Sequence, residues 1–467
     1  MNTDEKHGWT RMHPMDRRSF LIAGAAGLAG VTLPGRSAAR PRPTPAQLAW
    51  QRDELAMFLH FGVNTFTDRE WGDGREEPAI FDPARLDARQ WARAARAAGF
   101  RAMVLTAKHH DGFCLWPSAT TSHTVAASPW RGGRGDVVRE FVDACRAEGL
   151  RPGLYLSPWD RNSPAYGDSP RYNDLYAAQL GELLTRYGSL AEVWFDGANG
   201  EGPNGKRQRY DWPRVFALVR RLQPGAVVFS DAGPDVRWCG NEAGRAGDPN
   251  WSTVDPAVVA YPGADGPEVV PALQHGDPAG AVWRPAEADV SIRPGWFYHP
   301  AEDDRVRSAE DLAELYFTSV GRNAKLLLNV PPTRDGLLHA TDVARLAEFR
   351  RRLDALFAAE LAAGAKPAWR RTGKRSAVVE LDLGAPVTAG VARLEEHIES
   401  GQAVARHALY GQGPAGGEWR ELARGTTIGY ARLHRFPPMA LRRVRLAVED
   451  AVAAPGPLGV RLYADAG

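Results

Sequence analysis

From Leu55 to about Leu356 short apolar runs alternate with amphipathic helical periods, and this alternation constrains the fold more than any other feature of the 467-residue chain. The strand-like runs are Ala56–Phe61, Ala102–Thr106, Gly153–Leu156, Glu192–Phe195, Val227–Phe229 and Leu326–Val330. Helical periods lie between and after them at Asp87–Ala98, Asp136–Glu148, Tyr172–Tyr187, Trp212–Leu222, Ser308–Ser319 and Ala344–Leu356. Asp136 is placed to cap the second of these, and Gly149 stands just past its end. Strands that alternate with helices over ~300 residues pair in parallel, and the number of units predicts a (β/α)8-like TIM barrel. A doubly wound open sheet is the rival, but no G-x-G-x-x-G turn follows the first strand. Two barrel strands are not legible, because long loops fill the segment from about Val236 to Ile292.

The pattern then changes. Val378–Leu383, Ala392–Leu394, Val404–Leu409, Val444–Val448 and Val460–Tyr463 are short, often alternating and separated by turns bearing Gly or Pro. That reads as a β-sandwich of about 100 residues. The boundary is expected near Gly364–Gly373, which gives a barrel over 40–363 and a sandwich over 364–467.

The first 39 residues read as an address. Asp16-Arg17-Arg18-Ser19-Phe20-Leu21 leads into a 13-residue apolar run, Leu21–Leu33, then Arg36 and the small-residue segment Ser37-Ala38-Ala39. Paired arginines before a short, weakly apolar run are the pattern of a twin-arginine export signal, which implies a periplasmic or extracellular protein. The run is too short to span a bilayer, so no membrane association of the mature form is expected. The whole chain carries a formal +2, and the leader holds five basic against three acidic residues. Residues 40–467 therefore have 53 of each sign. Such a balance excludes an electrostatic nucleic-acid footprint. Three cysteines, Cys114, Cys145 and Cys239, exclude a disulfide framework. Fifteen tryptophans suit stacking on sugar rings as well as core packing.

In an α/β barrel the active site lies at the C-terminal ends of the strands. Polar residues gather there in this sequence: His60 and Asn64 after the first strand, with Glu70-Trp71 in its loop, and Lys108-His109-His110-Asp111 after the second. Tyr155 and Trp159-Asp160-Arg161 follow the third, Asp196-Gly197 the fourth, and Ser230-Asp231 the fifth, with Trp238 and Asn241-Glu242 beyond. Asp196 emerges from a buried Val-Trp-Phe run, where a carboxylate could serve as a glycosidase nucleophile. A second carboxylic acid must then protonate the leaving oxygen, and Glu242, Glu70 and Glu287 are the candidates. His60, His109 and His110 invite a metal reading, but adjacent histidines on a strand point to opposite faces and no H-x-H or H-E-x-x-H pattern is present. Hydrogen bonding to a polar substrate is the preferred role.

These residues, in this order, resemble the α-L-fucosidases of glycoside hydrolase family 29. The matching segments are FLHFGVNTF, EWGDG, LTAKHHDGFCLWPS, GLYLSPWDRN, EVWFDGANG, RWCGNEAG, SIRPGWFYH, SVGRNAKLLLNVPP and, in the tail, GTTIGYARLHRF. The resemblance implies a barrel followed by a galactose-binding-like sandwich, with neither cofactor nor metal. It implies Asp196 as nucleophile of a retaining exo-hydrolase, with His60, His109 and His110 binding fucose hydroxyls. Glu70, Trp71, Tyr155 and Trp296 would complete the pocket. Gly240-Asn241-Glu242 is similar to the subfamily that cleaves α-1,3- and α-1,4-linked fucose from branched, Lewis-type glycans, which makes Glu242 the acid/base with Glu287 in reserve. The expected partners are fucosylated oligosaccharides or glycoconjugates. The alternatives are a fucosidase that also takes α-1,2 links, a metal-dependent barrel hydrolase using the histidines, and a noncatalytic glycan-binding protein.

Overall fold

The computed structural model describes residues 40–464, so the twin-arginine segment lies outside the described residues. Eight parallel strands form the larger sheet: β1 Leu55–Leu59, β2 Ala102–Lys108, β3 Arg151–Leu156, β4 Glu192–Trp194, β5 Val227–Phe229, β6 Arg237–Trp238, β7 Ala286–Ser291 and β8 Lys325–Asn329. Their order runs β5-β4-β3-β2-β1-β8-β7-β6, and a lone parallel bridge from Phe229 to Val236 brings the two ends together. The six expected strands are all present within a residue or two. The two illegible ones are β6 and β7.

The helices follow from their caps. α1 Ala88–Ala97, α2 Val137–Ala147, α3 Ser169–Arg186 and α4 Trp212–Leu222 fill the first four crossovers, while α5 Ala309–Thr318 joins β7 to β8 and α6 Ala340–Leu356 follows β8. Asp87, Asp136 and Asp211 each accept a backbone N–H of the first helical turn, and Ser308 with Asp311 forms a capping box. Gly149, one residue past the cap of α2, has φ +71°, a conformation that glycine alone adopts without steric cost. Between β5 and β6 the chain makes only the loop 230–236, so no helix covers that crossover.

Alternation along each strand sorts side chains between the helix-facing core and the barrel interior. Leu55, Met57 and Leu59 of β1 pack outward with Met103 and Leu105 of β2, whereas Ala56, Phe58, Ala102, Val104, Tyr155, Trp194 and Leu327 fill the interior. At its lower end the interior is charged. Lys325 Nζ lies 3.3 Å from Glu192 Oε2 and 3.7 Å from Glu287 Oε2, and Trp50 Nε1 donates to Glu192 at 3.0 Å.

The C-terminal region is antiparallel. Two 20-residue strands, Ala377–Glu396 and Arg432–Ala451, pair along most of their length with register breaks between Asp382 and Val387 and between Ala389 and Val391. The first halves and second halves then take different neighbours: Ala368–Arg371 pairs the start of Ala377–Glu396, and Leu458–Tyr463 pairs its end. Side chains from both parts, including Val379, Leu381, Leu394, Val404, Leu446 and Leu462, close one apolar core, which makes a sandwich. The sequence showed each long strand only in part, because Gly384, Ala385 and Pro386 break the alternation where the strand is exposed. The sandwich is fastened to the barrel at the end opposite the rim. Arg393 Nη2 donates to Glu54 Oε1 at 2.6 Å and Tyr430 Oη to the carbonyl of Ala324 at 2.7 Å, residues that immediately precede β1 and β8.

Candidate active site

The inward parity that places Phe58, Trp194 and Leu327 inside the barrel continues upward to His60, Asp196 and Asn329, which form its top layer. Asp196 is 28% exposed, the open position in an otherwise buried group. Its Oδ2 accepts from Tyr155 Oη at 3.1 Å and stands 4.0 Å from His110 Nε2, while Oδ1 accepts from the backbone N–H of Ala198 at 2.7 Å. Burial and the charge of Asp196 hold the Tyr155 phenol well above its ordinary value, so it remains a donor.

Hydrogen bonds fix the tautomers of two histidines. His60 Nδ1 lies 2.9 Å from Asn329 Oδ1, an atom that can only accept, and Asn329 is oriented by donating Nδ2 to the carbonyl of Trp296 at 2.8 Å. His60 therefore carries its proton on Nδ1 and turns a lone pair on Nε2 elsewhere. His110 Nδ1 meets Ser157 Oγ at 2.7 Å, and that hydroxyl donates onward to the carbonyl of Trp159 at 2.8 Å. His110 is thus the donor there, and its Nε2 is an acceptor beside Asp196. The His109 ring is tilted 35° to that of His110 with centroids 4.0 Å apart and stacks on Tyr155 at 5.8 Å, and its Nδ1 is buried without a partner. Burial pushes His60 down to about 3, His109 well below the usual imidazole range, and His110 below it despite the opposing pull of Asp196. Three neutral imidazoles line one wall. Such a wall exchanges hydrogen bonds with hydroxyl groups and carries no charge of its own.

The segment that bears the histidine pair is anchored beneath by Lys108. Its Nζ is fully buried and donates to Asp160 Oδ2 and Gln179 Oε1, both at 2.9 Å. Asp160 in turn accepts the backbone N–H groups of Asn162 and Ser163, which shapes the loop after β3. Lys108→Met should lower unfolding free energy by about 3–5 kcal/mol in urea titration, because it leaves Asp160 buried and unpaired. An unchanged midpoint would show that the pair contributes nothing.

Of the other expected pocket residues, Trp71 is exposed and meets His110 and Trp159 edge-on, with centroids 6.0 and 5.9 Å apart. Trp296 is half-buried with its ring 5.1 Å from that of His60. Glu70 is committed to protein partners: its carboxylate accepts from the backbone N–H groups of Trp296 and Phe297 and meets His299 Nε2 at 2.9 Å. It ties the loop after β1 to the loop after β7, and so sets where Trp296 stands. Asn64 is fully buried and its Oδ1 has no hydrogen-bond partner.

The carboxyl groups separate into layers. Glu287 is fully buried at the lower end of the barrel, where Trp194 Nε1 donates to it at 3.1 Å, which removes it from the rim. Glu242 is exposed on the loop after β6. Asp289, two residues above Glu287 on the same inward face of β7, accepts from Trp238 Nε1 at 2.7 Å. Burial, then the charges of Glu242 and Asp196, hold its carboxyl well above the usual range, so Asp289 lies within electrostatic reach of both. Asp231 accepts the backbone N–H of Gly263 at 3.0 Å, and burial followed by the charge of Asp196 raises it to about 6. Asn329, Ser157 and Asp289 were not singled out in the sequence. The available signals were an Asn ending an apolar strand run and an acidic i, i+2 pair, Glu287 and Asp289, inside a strand.

Comparison with known proteins agrees with this geometry. Residues 76–355 match the alpha-L-fucosidase family. The alpha-L-fucosidase 1 of Arabidopsis thaliana is 42% identical over 91% of this chain and 88% of its own length. A glycoside hydrolase family 29 member from an unknown rumen bacterium superposes with a TM-score of 0.83 at 41% identity, covering 92% of this chain and 78% of that one. The Ruminococcus gnavus family 29 fucosidase, solved in complex with fucose, superposes with a TM-score of 0.82 at 31% identity over 92% of this chain and 97% of its own. With a closed-sheet barrel, a C-terminal sandwich and relatives whose match covers more than nine-tenths of it, the chain belongs to glycoside hydrolase family 29 and is an α-L-fucosidase.

Proposed function

We propose that the protein is a retaining exo-fucosidase that removes α-1,3- and α-1,4-linked fucose from branched, Lewis-type glycans. Asp196 is the nucleophile and Glu242 the acid/base. The observation that carries this reading is the setting of Asp196, half-open at the rim, held by Tyr155 and Ala198 and faced by His110. His60, His109, His110 and Trp296 bind the sugar at that position, with Trp71 at its lip. The fucose bound to the Ruminococcus gnavus relative supports fucose as the occupant.

In the first step Asp196 attacks the anomeric carbon as Glu242 gives a proton to the departing oxygen, forming a covalent fucosyl-enzyme. Glu242 then takes a proton from water, whose oxygen displaces Asp196, and fucose leaves with its original configuration. Incubation with 3-, 4- and 2-fucosylated oligosaccharides tests the linkage: free fucose should appear from the first two. Release from the 2-linked substrate alone would overturn the assignment.

We further infer that the enzyme acts outside the cytoplasm, on the strength of the Arg17-Arg18 motif and the run that follows it. Replacing both arginines by lysine should retain the protein in the cytoplasm of a host with a twin-arginine pathway. Unchanged export would refute the signal.

A further inference from the structure

Residues 40–467 carry no net charge, but the two parts of the fold do not share that balance. Residues 364–467 hold 15 basic and 10 acidic residues, which leaves 38 and 43 in residues 40–363, so the sandwich is +5 and the barrel −5. The whole positive excess lies in residues 366–375, which contain Lys366, Arg370, Arg371, Lys374 and Arg375 and no acidic residue. Such asymmetry between the halves of a neutral chain points to contact with an anionic surface.

Every residue from 366 to 375 is exposed. The centre of the stretch, Ala368–Arg371, is an edge strand paired on one side only, with the start of Ala377–Glu396. The other end of that partner strand, at Arg393, is the one fastened to the barrel. Between the two strands lies a turn in which the backbone N–H of Thr372 donates to the carbonyl of Ser376 at 3.1 Å, and four of the five cations are gathered around it. Local partners do not neutralise them. Arg375 Nη2 lies 3.1 Å from Asp450 Oδ1, and Arg371 donates to the carbonyl of Pro455 at 3.4 Å with its guanidinium 5.6 Å from the exposed Trp369 ring. Lys366, Arg370 and Lys374 have neither an ion pair nor a side-chain hydrogen bond among the described residues. Glu380, opposite Ala368, already takes Arg443 at 3.0 Å and Arg445 at 2.9 Å. An edge strand needs charge to keep another chain from pairing with it, and Arg370 and Arg371 meet that need. It does not account for Lys366, Lys374 and Arg375, which lie outside the strand.

We propose that this basic corner docks the sandwich on a membrane surface rich in anionic phospholipid. Clustered Lys and Arg side chains are drawn to such a surface, and an indole beside them settles at the depth of the headgroups. No helix of the described residues is long and apolar enough to cross a membrane, and none is needed, because the contact is peripheral and held by charge. It revises the expectation that the mature form stays off membranes, which followed only from the length of the apolar run. A single-stranded nucleic acid fits less well, since Trp369 is the only ring in the stretch and successive bases need successive rings. The same surface repels the −5 of the barrel, so the rim, at the end of the barrel away from the sandwich, is turned outward and left free for a glycan. That this membrane face lies outside the cytoplasm rests on the export reading. Docking itself does not, and the two fail in separate experiments.

Sedimentation with lipid vesicles tests the docking. The exported form, residues 40–467, should sediment at about 0.1 M salt with vesicles of mixed phosphatidylglycerol and phosphatidylcholine, and stay in solution with phosphatidylcholine alone. Salt at about 0.5 M should release it. Each basic residue at an anionic surface contributes about fivefold in partitioning, so the Lys366→Gln/Arg370→Gln/Lys374→Gln variant should bind about a hundredfold more weakly. These three side chains have no partner to lose, so the variant should hydrolyse fucosyl fluoride as the unaltered enzyme does, which shows that it is folded. Equal sedimentation with both kinds of vesicle, or undiminished binding by the triple variant, would overturn the docking surface. Retention on heparin without binding to anionic vesicles would overturn it too, and assign the corner to a soluble polyanion.

Discussion

Asp196→Gly should abolish hydrolysis of every fucoside, with a fall of the order of the ~10⁶ that loss of a covalent nucleophile costs other hydrolases. The loss is steric as well as chemical. Removing the side chain takes away the only group at the rim that the hydrogen bonds of Tyr155 and Ala198 aim at the sugar position, and water cannot reproduce its fixed approach. The space left is open to solvent and large enough for a small anion. Azide should therefore attack the anomeric carbon of an activated aryl fucoside from the face that Asp196 occupied. The C–O bond to the aryl group breaks, a C–N bond forms, and the product is β-fucosyl azide, inverted relative to the substrate. Near-normal activity in this variant would dismiss Asp196 as nucleophile. An azide product of retained configuration would show that another side chain still forms the covalent intermediate.

The pocket's neutrality has a physical origin that runs through the whole barrel. Charges are spent low in the interior, where Lys325 is shared by Glu192 and Glu287. Uncharged imidazoles and a phenol are kept for the rim. Burial, helped by neighbouring imidazoles and, at His110, by Arg161 and Lys108, drives the three histidines to the neutral form, and the hydrogen bonds that fix the tautomers of His60 and His110 each leave a lone pair for a sugar hydroxyl. A neutral substrate is met by a neutral wall, and charge-bearing chemistry is left to carboxyl groups such as Asp196.

How much of this was legible depended on the period of the apolar pattern. Strands β1 to β5 and β8 read clearly because their cores are apolar on both faces, as parallel strands buried between helices must be. β7 escaped because its inward residues are Glu287, Asp289 and Ser291, whose polarity is satisfied by Trp194, Trp238 and Asn329 from other strands. No local pattern announces such partners. β6 is only two residues long and has no period at all. The same limit applies to the site. Asp196 and the histidines stand at strand ends and could be placed by parity, whereas Glu70 looked like a sugar ligand and turns its carboxylate to the backbone of Trp296 and Phe297. Its partners lie more than two hundred residues away in sequence.

Glu242→Ala should separate the two chemical steps. General acid/base help contributes ~10²–10⁴ in rate, so natural glycans, whose leaving oxygen must be protonated, should lose activity by that factor. An aryl fucoside with an acidic phenol needs little protonation, so formation of the fucosyl-enzyme should proceed and its hydrolysis should become limiting. A burst of phenol followed by slow turnover is the expected signature. Azide, which needs no general base, should relieve the second step and yield α-fucosyl azide, the anomer opposite to that expected from Asp196→Gly. The pH profile offers an independent reading. The alkaline limb of kcat/KM for glycans reports the acid that must be protonated, and it should vanish with Glu242. Asp289 sharpens this test, because it lies within electrostatic reach of Glu242 and its carboxyl is held high by burial and by that neighbour. That carboxyl is held in its protonated, neutral form, so Asp289→Asn removes no charge beside Glu242 and should leave the alkaline limb in place and the profile bell-shaped. If the limb survives in Glu242→Ala and disappears in Asp289→Asn, the proton donor is Asp289 and Glu242 only tunes it.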